Sequence, residues 1–183
     1  LFAVYDALVP WSAYTNTYYK NVELIYRHFP NKKALKSSPW TFFTYRYGHL
    51  VLKTLLLLPW RTTGYVNNHL ATPMKKSTLA NLWQIEGETL DRTSRNKIRN
   101  YEVDVNQYIC QYWHIESNQF YPISKNFGET INLHQIDRLE SIFKDKHKKL
   151  LCVNDEVDFK EENIIRFKEI LQERYPEKSA FEK

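Results

Sequence analysis

The run Leu150-Leu151-Cys152-Val153 interrupts a chain whose apolar residues otherwise recur at helical spacing. Before it, Gln135 to Lys149 reads as an amphipathic helix ending in a basic cluster. After it, Phe159 to Tyr175 reads as a second helix that buries Ile164, Phe167, Ile170 and Leu171. A short apolar run between two helices is a buried strand, and a sheet covered by helices belongs to the α/β class. The strand's neighbour is expected to be either the apolar stretch at Leu1 or Thr130-Ile131-Asn132. Asn154 and Asp155 stand at its carboxyl end, where ligands gather in open α/β sheets. Asp158 is placed to cap the following helix, which leaves Asp155 for another role.

Upstream, Val22, Ile25, Tyr26 and Phe29 predict a helix closed by Pro30. Trp40 to Leu58 is apolar nearly all round and predicts one helix, buried or lying on a membrane or partner surface, with Pro59 as its stop. Leu79, Leu82 and Trp83 mark a short helix. Val105, Tyr108, Ile109, Tyr112 and Trp113 mark another, with Asp104 as its expected cap. Between them, TTGYVNNHLATPMKKS reads as loop and DRTSRNKIRNYEVD as a polar, basic stretch. A chain of 183 residues that is 43% hydrophobic, with 13 Tyr, 10 Phe, 5 Trp and only 4 Gly, can bury a sizeable core and is neither disordered nor fibrous. Leu50 to Trp60, its longest apolar run, carries Lys53 and falls short of the ~20 residues of a spanning helix. Two cysteines, Cys110 and Cys152, give no disulfide framework and no metal spacing, which suits a reducing compartment. The net charge of +5 suits phosphates or anionic lipid, and with no basic run and no recognition module a nucleic-acid partner is not expected.

Three constellations can carry chemistry. His69, in the loop Asn67-Asn68-His69 with Pro73 four residues on, has an imidazole that takes or gives a proton near its ordinary pKa of ~6.5. The alternative is a hydrogen-bonded loop or core histidine. His28, His49, His114, His134 and His147 fall in helical patterns without metal-ligand spacing and are expected to be structural. Arg95, Lys97 and Arg99, beside Ser94, Asn96 and Asn100, suit a pyrophosphate at a helix start, because guanidinium forks match phosphate oxygens. The alternative is a solvated basic face. Asp155, with Asn154 as an auxiliary oxygen donor, suits a hard divalent cation, the alternative being a turn or a cap. Gly-x-Gly-x-x-Gly, Walker A, Gly-x-Ser-x-Gly and paired-cysteine zinc motifs are absent.

Taken in order, NNHLATPMKKST, TSRNKIRNYEVDVNQY, LLCVND and YPEKSAFEK resemble the C-terminal half of a Stealth-family sugar-phosphate transferase. That family includes bacterial capsular-polysaccharide phosphotransferases and the catalytic subunit of the animal enzyme that adds GlcNAc-1-phosphate to lysosomal glycoproteins. Of its four conserved regions, Val66 to about Tyr112 resembles the third and Leu150 to Glu182 the fourth, with Tyr175 where Phe is commoner. The resemblance implies the helix-rich later part of a Rossmann-like nucleotide-diphospho-sugar transferase core, with 1–60 as a helical lead-in, 61–117 region-three-like and 118–183 region-four-like. It places His69 and Arg99 on the family's active-site His and Arg, and Asp155 on its acidic position. Asn68, Arg95 and Lys97 become candidate phosphate contacts beside Arg99, and Asp155 with Asn154 a candidate site for Mg or Mn. The first two regions, which carry nucleotide-sugar and metal contacts in the family, are not found here, so the chain is expected to be an incomplete domain, inactive by itself.

The implied reaction moves a sugar-1-phosphate from a nucleotide-diphosphate sugar to a glycan hydroxyl in capsular or surface polysaccharide synthesis, in the cytoplasm or at the inner face of the membrane. Two alternatives stand beside it. One is a glycosyltransferase using the same donor class. The other is a noncatalytic module of a capsule-assembly complex that binds a partner or sits peripherally on a membrane through Trp40 to Leu58.

Overall fold

A computed structural model describes residues 1–7, 13–29, 32–67, 69–155 and 160–181. The chain forms two compact units, one of residues 1–67 with 72–125 and the other of 68–71 with 126–183.

In chain order the first unit contains β1 (Tyr5–Asp6), α1 (Ala13–His28), α2 (Lys33–Ser37), α3 (Pro39–Phe42), a 3-10 segment (Tyr45–Leu50), α4 (Val51–Leu56), β2 (Gly64–Tyr65), α5 (Lys76–Ile85), α6 (Gly87–Arg95) and α7 (Tyr108–Glu116). α7 is the hub. Every residue from Tyr108 to Glu116 is buried, and the helix packs against α1, α2 and α5. The expected stripe at Tyr108, Ile109, Tyr112 and Trp113 is present, but Gln111, His114 and Glu116 on the other sides are buried too. Ring packing extends the core outward, with Tyr65 stacked on Tyr112 at 4.3 Å and Phe29 edge-on to Trp113 at 4.7 Å. The first strand pairs antiparallel with β2, Tyr5 opposite Tyr65.

At the base of this unit lies an ionisable cluster. Glu116 is fully buried; its Oε1 accepts from the Tyr65 hydroxyl at 2.8 Å and the Tyr5 hydroxyl at 3.1 Å, and its Oε2 from the Ala34 amide at 3.4 Å. Burial pushes the carboxyl above its ordinary value, against the opposing effect of those bonds. The same burial, and the proximity of Glu116, raise the Tyr5 and Tyr65 hydroxyls well out of the titrating range.

Three expectations need correcting in this unit. Trp40 to Leu58 is not one helix: α3 and α4 are separated by extended Thr44 and by Gly48 at φ 55°, a left-handed conformation in which glycine carries no Cβ penalty. Nor is it buried all round: Phe42, Tyr47, Thr54 and Leu57 are buried, while Trp40, Leu52, Leu55 and Leu56 face outward. Asp104 does not cap α7. Its carboxylate instead accepts from Asn96 Nδ2 and the Asn100 amide, both at 2.7 Å, and Asn106 Oδ1 accepts from the Tyr108 amide at 3.1 Å. Asn106 is itself fixed by Asn21 of α1. Lastly, part of the polar stretch from Asp91 is helical, as α6, whose single buried side chain is Leu90.

The second unit holds β3 (Gly128–Asn132), a 3-10 segment (Leu133–Arg138), α8 (Leu139–Lys144), β4 (Leu150–Asn154) and α9 (Glu161–Arg174). β3 and β4 pair in parallel, Gly128 opposite Leu150 through Asn132 opposite Asn154, with the helical segments as crossover. Thr130-Ile131-Asn132 is therefore the partner of Leu150 to Val153, and the strand at Leu1 is not. Gln135 to Lys149 is not one helix; it is split between the 3-10 turn and α8 and ends at Lys144. Ile131, Leu133, Ile136, Leu139, Ile142 and Ile170 make the core, with Leu151, Val153, Ile164 and Phe167 against it. Of the stripe its spacing predicts, α9 buries Ile170 fully, while Ile164, Phe167 and Leu171 are half-buried; Asp158, its expected cap, lies outside the described residues. The architecture is helix-rich α/β, with one parallel and one antiparallel two-stranded sheet among the described residues.

Candidate functional site

Strand alternation gives the β3–β4 sheet two unlike faces. Ile131, Leu151 and Val153 lie on the face that meets the helical core. Gly128, Thr130, Asn132, Leu150, Cys152 and Asn154 share the other, as the register and the Cys152 Sγ contact to Asn154 Oδ1 at 3.5 Å require. On this second face lies the His69 loop. Thr130 Oγ1 donates to the His69 carbonyl at 3.1 Å, and Leu70 Cδ1 stands 2.6 Å from where a Cβ on Gly128 would be. His69 itself is exposed. The backbone of the histidine is therefore held on the strand pair whose carboxyl end carries Asn154 and exposed Asp155.

This packing makes a direct prediction. Gly128→Ala puts a methyl group against Leu70 and within 3.0 Å of the Leu150 carbonyl, so it should destabilise the chain by about 1–3 kcal/mol in urea unfolding. An unchanged midpoint would mean that the loop does not rest on β3.

Asn67, two residues before His69, is anchored in the first unit. Its Oδ1 accepts from the Tyr112 hydroxyl at 2.7 Å, and Tyr112 stacks on Tyr65, which donates to Glu116. Contacts thus run from buried Glu116 through Tyr65 and Tyr112 to half-buried Asn67. Asn68 lies outside the described residues.

The basic candidates belong to the first unit. Arg95 closes α6 and Lys97 and Arg99 follow it, so they stand past a helix C-terminus, not at a helix start. There they complement the negative end of the helix dipole, and the argument from anion binding at an N-terminus does not apply to them. Arg95 Nε is engaged by Asp91 at 2.8 Å along the helix. Lys97 and Arg99 are exposed on the loop that Asp104 clamps through Asn96 and Asn100. The Arg99 guanidinium lies 6.0 Å from the Tyr101 ring centroid, at the outer range of a cation–π contact. The Asp104 clamp on Asn96 and Asn100 leaves Lys97, Ile98 and Arg99 as an exposed three-residue tip.

Asp155 and Asn154 offer the hard oxygen donors that Mg or Mn takes. Among the described residues no group of three His, Cys, Asp or Glu side chains converges there or elsewhere. Cys110 is buried, Cys152 half-buried, and both are free. No helix of the described residues is long and apolar enough to cross a membrane.

Sequence reasoning missed Thr130, the residue that fixes the His69 backbone. Its signal was available in the alternation of Gly128, Thr130 and Asn132 with Ile131, which marks one face as polar and open. It also missed Glu116, an acid ending an apolar helix.

Compared with curated proteins, the chain is 35% identical over 188 residues to Capsular polysaccharide phosphotransferase WcwK of Streptococcus pneumoniae, covering 100% of this chain and 56% of the relative. It is 28% identical over 185 residues to Exopolysaccharide phosphotransferase cps2G of Lactiplantibacillus plantarum, covering 99% and 55%. With Receptor polysaccharide phosphotransferase WefC of Streptococcus gordonii it shares 29% identity over 168 residues, covering 87% and 48%. The chain spans about half the length of the curated relatives it matches. No family model matches it. No solved structure matches it either.

Proposed function

We propose, for a chain that belongs to the Stealth-type polysaccharide phosphotransferases, that it supplies the acid–base and phosphate-holding part of a site for sugar-1-phosphate transfer. The donor is a nucleotide-diphosphate sugar and the acceptor a hydroxyl of a capsular or surface glycan. The acceptor oxygen attacks the phosphorus that bears the sugar, and its proton passes to His69. The bond from that phosphorus to the bridging oxygen breaks, a nucleoside monophosphate leaves, and a phosphodiester remains. Arg99, with Lys97 and Arg95 on the same stretch and Asn68 beside His69, neutralises the diphosphate oxygens. A divalent cation held by Asp155 and Asn154 would supply further charge neutralisation at the phosphoryl group. The Rossmann-like character of the complete domain belongs to this same reading, and the parallel β3–β4 pair with its helical crossover is consistent with it.

The observation that supports the reading is the hydrogen bond holding the His69 carbonyl on Thr130, within the strand pair whose second strand ends at Asn154, just before Asp155. Two motifs distant in sequence share one supporting strand pair there. The test is to identify the nucleotide released by the full-length protein from a nucleotide-diphosphate sugar. Nucleoside monophosphate is the expected product; nucleoside diphosphate would mean glycosyl transfer and would overturn the assignment. Arg99→Lys should lower transfer by about 10²-fold, since a point charge replaces a planar fork at a developing phosphoryl charge. An unchanged rate would remove Arg99 from the phosphate role.

A further inference from the structure

The net charge of +5 hides an uneven distribution. From Leu24 to Ile85 no Asp or Glu occurs, while nine Lys and Arg do, so this stretch is strongly positive and the remainder of the chain is net negative. The same stretch supplies eleven of the sixteen exposed large hydrophobic side chains among the described residues. Positive charge and outward-facing apolar groups therefore coincide.

They meet most closely at α4. This helix is inside out for a water-facing element: Thr54 is buried, its hydroxyl accepting from the Tyr5 amide at 3.2 Å, while Leu52, Leu55 and Leu56 form a stripe at i, i+3 and i+4 that faces outward. Leu52 is 59% exposed and Leu56 76%, and just beyond the helix Trp60 is 56% exposed. Lys32, at the start of α2, donates through its ammonium to the carbonyls of Leu57 and Leu58. That tie brings α2, with exposed Lys33 and Lys36, to the end of α4 where Leu56, Leu58 and Trp60 emerge. Arg61 follows Trp60 directly and is exposed. Lys53, also on α4, pairs with Asp6 at 2.9 Å.

We propose that this face docks on an anionic lipid bilayer, with Leu52, Leu55, Leu56, Leu58 and Trp60 entering the headgroup and acyl boundary and Lys33, Lys36 and Arg61 meeting lipid phosphates. Leucine and tryptophan beside basic residues are the composition of interfacial anchors, and a nucleic acid would use the charges but leave the leucine stripe in water. The surface belongs to the first unit, and the proposal does not depend on the transfer reaction.

The test is co-sedimentation of the full-length protein with phosphatidylcholine vesicles that contain or lack phosphatidylglycerol. Binding is expected to the anionic vesicles alone and to weaken with salt. Leu52→Gln/Leu56→Gln, both exposed positions, should bind about tenfold to a hundredfold more weakly at unchanged circular dichroism. Lys33→Glu/Lys36→Glu/Arg61→Glu should weaken binding by at least about tenfold and remove its salt dependence; if the leucine variant does not fold, this variant decides. Failure of the wild-type protein to bind, equal binding to neutral vesicles, or binding untouched by the substitutions would overturn the proposal, the first outcome meaning that protein covers the face.

Discussion

Replacing His69 by alanine in the full-length protein is expected to lower sugar-phosphate transfer by about 10²–10⁴-fold, the range that a positioned general base contributes. The urea unfolding midpoint should not move, because the imidazole is exposed and the loop is held through the His69 carbonyl, which alanine retains. This separation makes the experiment decisive. A variant that lost activity together with stability would point to a packing histidine, and one that kept its rate would remove His69 from the chemistry. Thr130→Val is the matched control. It deletes the donor to the same carbonyl and leaves the imidazole in place, so its smaller loss of rate would report loop position alone.

Glu116→Ala should have the largest effect on folding, about 3–5 kcal/mol in chemical denaturation, a large part of the ~5–15 kcal/mol that holds a typical domain together. The substitution strands the Tyr5 and Tyr65 hydroxyls without their acceptor and leaves the Ala34 amide unpaired in the core. Glu116→Gln keeps the shape and removes the ionisation, so it isolates the pH dependence. Burial raises the carboxyl above its ordinary value of 4.5. A group harder to ionise when folded gives its full stabilisation below the unfolded value and loses it as pH climbs through the folded one. The stability of the wild type relative to Glu116→Gln should therefore fall as pH rises from 4.5. A gap that stays flat between about pH 4 and 8 would show that Glu116 ionises as freely in the fold as in the unfolded chain.

Elements with a strong period were readable from residues alone. α1, α5, α7 and α9 follow their apolar spacing, and Leu150 to Val153 is a strand because four apolar residues between helices have no helical face to offer. α6 escaped because one leucine, Leu90, is its entire buried face. Trp40 to Leu58 misled for the opposite reason: an unbroken apolar pattern says nothing of Gly48, whose left-handed backbone divides it, and nothing of which side faces water. Asp104 shows the limit of local rules. The same carboxylate that suits a cap clamps the loop from Asn96 to Asp104 instead, through Asn96 and the Asn100 amide, while Asn106 Oδ1 accepts from the Tyr108 amide at the start of α7. Of the candidate site, the side chains were named by motif, whereas their support is a matter of contacts distant in sequence. Thr130 lies 61 residues from His69, and no spacing rule spans that interval.

The parallel pairing of β3 with β4 also sets a schedule. Parallel neighbours cannot close as a hairpin; the ladder waits until the crossover and the second strand, ending at Asn154, have left the ribosome. His69 is made long before that shelf exists, so a nascent chain, or one truncated before Leu150, carries the histidine with nothing beneath it. The loop gains its support only once both strands have been made.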